Sequence, residues 1–167
     1  MARTGDYGTG HDFNYLAKRM PQFADALGKD VNQLVKDVTA HTVAAVARAT
    51  PVDVGTARSN WIVSLVAPSS TVRAAFSPFP SRWRPPYGPG GPMGETRNQA
   101  GVVWSGAAVI GRRTDDATVY ITNNLPYIVP LNRGHSSLAP AGFVETAILR
   151  GRREALKQFK FNNLRRL

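Results

Sequence analysis

The chain has 167 residues and carries 21 Lys+Arg against 11 Asp+Glu, a formal net charge of +10, with 43% hydrophobic residues, 19% charged residues and no cysteine. That is enough chain to bury a core as one domain, and too apolar a chain for disorder throughout. The missing cysteines exclude a disulfide scaffold and any thiolate metal site, while the charge points to a polyanion, DNA above all, or to an acidic protein surface.

Residues 1–12, rich in Gly, Thr and Asp, read as a flexible arm ahead of a single domain over 13–167. The N-terminus lacks the apolar run of a signal peptide. The most apolar window, 102–110, is broken by Ser105 and Gly106 and falls short of the ~20 residues that span a bilayer. A soluble cytoplasmic protein with no membrane contact is expected.

Residues 13–27 read as helical fragments, with Pro21 at a first turn. Asp30 is placed as an N-cap, with Gln33 three residues on. From there Val31, Leu34, Val35, Val38, Thr42, Ala45, Val46 and Ala49 recur at the spacing of one helix face, and Pro51 ends the helix at Thr50. Asp53 to Gly55 form a turn, Gly55 being suited to positive φ. Residues 59–67 alternate as a strand, and 71–76 suggest a further short one.

Between 78 and 94, six prolines mix with glycines and with Arg82, Trp83, Arg84 and Tyr87, which forbids a helix interior or a sheet ladder and predicts a long loop. Residues 95–110 are ambiguous: Val102, Val103 and Trp104 favour a strand, the alanines a helix, and Gly101 and Gly106 each cost a helix about 1 kcal/mol. Residues 118–122 read as a strand, Asn123-Asn124 as a turn. Pro140 is placed at the opening of the last helix. Val144, Ala147, Ile148, Ala155 and Phe159 mark that helix's buried side, and it can bend at Gly151. Its end is basic, which suits the macrodipole.

No reaction chemistry stands out. His11, His41 and His135 have no second ligand at metal spacing. The glycines of 88–94 lack the Gly-Lys-Ser/Thr of a phosphate loop, and two prolines remove donors. Ser59, Ser105 and Ser136 have no nucleophile-elbow context. Asp115-Asp116 reads as a solvated turn.

Two turn-rich cassettes remain. One is Thr50-Pro51-Val52-Asp53-Val54-Gly55-Thr56-Ala57-Arg58-Ser59-Asn60-Trp61. The other runs from Tyr120-Ile121-Thr122-Asn123-Asn124-Leu125-Pro126-Tyr127 through Leu131-Asn132-Arg133-Gly134-His135 to Ala139-Pro140-Ala141-Gly142-Phe143-Val144. In residues and order they resemble the neck or tail-completion family of tailed phages, over about two-thirds of the chain. Val54 and Thr56 depart from that pattern around Gly55, as do Val129-Pro130 before Leu131.

The resemblance implies a helix over 95–110. It implies a virion part without cofactor or enzymatic activity, placed in the neck and made in the host cytoplasm. It would be a ring around the DNA channel, six-fold first and twelve-fold second. Its neighbours would be a portal, adaptor or head-closure protein on one side and a tail tube or tail terminator on the other.

The expected fold is α+β: N-terminal helices, a small mixed or antiparallel sheet from 58–67 and 118–122, a C-terminal helix packed on it, and the Pro/Gly loop 78–94 as docking element. Candidate subunit or partner contacts are Trp83, Tyr87, Met93, Tyr127, Asn132, Gly134, Pro140 and Phe143. Candidates for the DNA channel or an acidic partner are Arg82, Arg84, Arg150, Arg152, Arg153, Lys157 and Lys160. The reading from another class is a stand-alone basic DNA-binding protein.

Overall fold

The computed structural model describes residues 11–52, 54–76, 91–114 and 116–166. The fold is α+β. In chain order come α1 (His11–Ala49), α2 (Thr56–Ser59), β1 (Ile62–Leu65), α3 (Gly91–Ile110), β2 (Val119–Thr122), α4 (Ile128–Asn132), α5 (Phe143–Gln158) and a closing 3-10 turn, Leu164–Arg166. The described residues divide into two compact units, one of 11–33 with 160–166, the other within Leu34–Phe159.

In the larger unit, β1 and β2 pair antiparallel, with Ile62 opposite Thr122 and Leu65 opposite Val119. The core joins Val43, Val46 and Ala47 of α1 to Trp61 and Val63, to Val102 and Ile110 of α3, to Ile128 of α4 and to Phe143 and Ala147 of α5. The buried stripe of α1 here is Thr39, Thr42, Val43, Val46 and Ala47, continued by Thr50 just past its end. It is turned from the expected face: Thr42 and Val46 are common to both, Ala45 and Ala49 pack partly buried against the core, and Val31 is 47% exposed. α3 is a helix despite its two glycines, which serve packing. A Cβ on Gly106 would meet Val63 at 3.1 Å, and one on Gly101 would enter the ring of Phe76.

The sheet is smaller than expected. Gly55, at φ 85, turns the chain into α2, so residues 58 and 59 are helical rather than extended. The Asn60 side chain closes α2 by donating to the Thr56 carbonyl. Residues 71–76 form no strand because side chains take their backbone groups. Asn60 accepts from the Arg73 N–H and donates to the Arg73 carbonyl, both at 2.8 Å, while Ser59 Oγ accepts from the Phe76 N–H.

α5 starts at Phe143, three residues after the expected Pro140, because Gly142 at φ 73 forms the junction. It runs unbroken through Gly151, where a Cβ would lie 2.6 Å from Thr42 Cα. Gly151 is thus a point of close approach to α1, not a bend. Of the expected buried side, Ala147 and Ala155 are buried, while Ile148 is exposed.

In the smaller unit, α1 runs through Pro21. An interior proline loses a hydrogen bond and crowds the carbonyl four residues back, so a first-turn position was expected. Strong helix formers on both sides, Ala17, Met20, Gln22, Ala24 and Ala26, offset that cost. Asp30 caps no start of α1. It lies mid-helix, 2% exposed, and its carboxylate accepts from the Asn162, Asn163 and Leu164 N–H groups and from the Asn163 amide at 2.8–3.2 Å. The capping residue is real, but the turn it caps lies at the far end of the chain. Burial raises its pKa, and the backbone and amide donors outweigh this and hold it below the ordinary carboxylate value.

Candidate functional site

The two cassettes meet in the larger unit. Thr50, fully buried at the end of α1, anchors the first. Its hydroxyl donates to the Val46 carbonyl and accepts from Trp61 Nε1 at 2.7 Å. The buried Arg58 guanidinium donates to the Thr50 carbonyl at 2.9 Å and reaches the Arg48 carbonyl, so a residue eight positions on satisfies the orphan carbonyls of the helix end. Asn123 ties in the second cassette through Nδ2 to the Ala57 carbonyl at 2.9 Å.

Within the second cassette, Asn132 holds the entry to α5. Its Oδ1 accepts from the Val144 N–H, its carbonyl from the Gly142 N–H, and its Nδ2 donates to both oxygens of Glu145 at 2.9 Å. That amide is the first cause of the lowered pKa of Glu145. A carboxylate in the first turn also suits the helix dipole.

This geometry sorts the candidates. Phe143 is 3% exposed and belongs to the core. Asn132 and Gly134, the latter at φ 92, set the turn. Tyr127 and Pro140 remain at the surface. A groove between the cassettes is lined by Pro51, Val54, Gly55, Tyr127, Leu131 and Leu138. Leu138, 68% exposed, stands at its edge. Arg82, Trp83, Arg84 and Tyr87 lie outside the described residues, as do 78–90 of the expected loop. Residues 91–94 open α3, with Pro92 and Met93 in its first turn, where proline costs no hydrogen bond. Arg150, Arg152, Arg153 and Lys157 are exposed along α5, and Lys160 is exposed beyond it.

Two surfaces escaped the sequence reading. On α1, Phe13, Leu16, Met20, Phe23 and Leu27 follow each other at alternating steps of three and four, and all are 37–72% exposed. Arg19 lies over the Tyr15 and Phe23 rings at 5.5 and 5.4 Å. The spacing was readable, but Pro21 broke the segment into fragments and hid it. On α5, Leu149 and Leu156 are exposed among the basic residues.

No family model, curated protein or solved structure matches the chain. Among the described residues, no three His, Asp or Glu side chains gather where they could hold a metal ion. No described helix is long and apolar enough to cross a membrane.

Proposed function

We propose that this chain is a structural virion protein of a tailed bacteriophage, a part of the head–tail connector or of the head-proximal tail end, assembled as a ring around the DNA channel. One observation carries the assembly part of that reading: the exposed seam of Phe13, Leu16, Met20, Phe23 and Leu27. Steps of three and four are those of a coiled-coil interface. At 1.5 Å per residue the seam is about 21 Å long, a contiguous apolar surface that marks a contact site on a folded protein. The likeness of the two cassettes to the neck family supplies the place of assembly, and they serve as the scaffold that holds α1, the sheet and α5 in register.

The test is imaging of purified particles together with sedimentation of the isolated protein. Density for a six- or twelve-fold ring of this chain between head and tail is expected. Single copies, or a position away from the neck, would overturn the reading. The second reading, a stand-alone DNA-binding protein, is favoured by the +10 charge. It requires a monomer that binds duplex DNA with a steep salt dependence.

A further inference from the structure

The outer face of α5 combines two features that a simple cationic surface would not need together. The helix buries Phe143, Ala147, Gly151 and Ala155. On the opposite side stand Leu149 and Leu156, 61% and 48% exposed. They are seven residues apart, hence on one face about 10 Å from each other. Arg152 and Arg153 lie between them and Lys157 follows, and these five side chains line one shallow groove. The nearby acid, Glu154, is bonded to Lys157 at 3.1 Å. That bond, with the Lys157, Arg150 and His41 charges, keeps its pKa below the ordinary value. Lys157 is therefore partly neutralised, and Arg152 and Arg153 carry the open positive charge.

The leucines decide between two kinds of polyanion. A phosphate backbone rewards cations and gains nothing from apolar side chains set in the middle of the contact. A helix laid on this face gains from both. Apolar residues at i and i+7 reach Leu149 and Leu156, and flanking carboxylates meet the guanidinium forks in two-point hydrogen bonds.

We propose that the outer face of α5 docks an acidic amphipathic helix of a partner protein, with its apolar residues on Leu149 and Leu156 and its carboxylates on Arg152 and Arg153. This rests on the reading of the chain as an assembly part only in supposing a partner. It needs neither the ring nor the α1 seam.

The test uses the full chain at physiological salt and three labelled probes in fluorescence anisotropy. One is an acidic helical peptide with leucines at i, i+3 and i+7. The second is a peptide of equal length and charge with serines in their place, and the third is a short DNA duplex. The leucine peptide is expected to bind roughly tenfold more tightly than the serine peptide. L149S/L156S should abolish that difference while leaving the chain folded, because both side chains are largely exposed. R152S/R153S should weaken both peptides. Equal binding of the two peptides by the unmodified chain would overturn the proposal. So would a duplex bound more tightly than the leucine peptide, weakened by R152S/R153S and indifferent to L149S/L156S, which would make the face a nucleic-acid contact. Either failure leaves the ring test untouched, since that test reads copy number and position.

Discussion

Three residues carry local consequences that a single substitution can expose. Val66 follows β1 at φ 72 with its side chain 87% exposed, in a tight turn where the Ala67 N–H donates to the Leu65 carbonyl. A β-branched residue is strained in the left-handed region and this one packs on little. Val66→Gly should stabilise the larger unit by roughly 0.5–1 kcal/mol, the relief of strain exceeding glycine's extra chain entropy; a lower midpoint in urea would contradict it. Gly151→Ala should do the reverse. The added methyl would press on Thr42 backbone that cannot rotate away, costing roughly 1–3 kcal/mol. Asp30 sets an acid limit on the smaller unit. Its folded pKa lies below the ordinary 3.8, so its contribution is whole above that pH and is lost as the pH falls through the folded value. Amide protection at 162–164, measured against the intrinsic rate at each pH, should therefore fall below about pH 4, and Asp30→Asn should already show the lower protection at neutral pH. Protection in D30N equal to that of the unmodified chain would refute this.

Among the elements, those with a strong period were legible and those defined by remote side chains were not. The helical state of α1 beyond Leu34, though not the face it buries, the pairing-competent runs of β1 and β2, and a terminal helix with Ala147 and Ala155 inward all follow from local spacing. The length of β1, the start of α5 and the course of 71–76 do not. They depend on Asn60, Asn132 and Asn124 bonding groups up to 55 positions away, which no periodicity encodes. The same holds for the candidate site. Basic residues on α5 could be counted, whereas the exposure of Leu149 and Leu156 depends on which helix face the core takes. Arg58 is the sharpest case of a distant cap. Arg58→Ala should leave the buried Thr50 carbonyl short of its donor and destabilise the larger unit by about 1–3 kcal/mol. Arg58→Lys should recover part of this, because an ammonium supplies a donor without the fork. Thermal melts of the two variants rank the effect, and full recovery by lysine would count against the fork.

At the scale of the molecule, charge and apolar surface respond to salt in opposite directions. Copies of a chain with a formal charge of +10 repel one another, and the α1 seam must work against that repulsion. Raising the ionic strength screens it, so self-association through Phe13, Leu16, Met20 and Phe23 should strengthen with salt in sedimentation experiments. Leu16→Ser with Phe23→Ser should remove the association at every salt concentration. Association that weakens with salt, or survives both serines, would locate the contact elsewhere.

The bond set of Asp30 also imposes an order in time. Its acceptors are filled by residues 132 to 134 positions further along. At roughly 5–20 residues per second, the ribosome releases those partners on the order of ten seconds after Asp30 itself. Through that interval the carboxylate stays in water, and the smaller unit can close only once the whole of Leu34–Phe159 has been made. Closure of the smaller unit therefore follows completion of α5 at Gln158 by only a few residues of synthesis, a timing that pulse-labelled nascent chains would record.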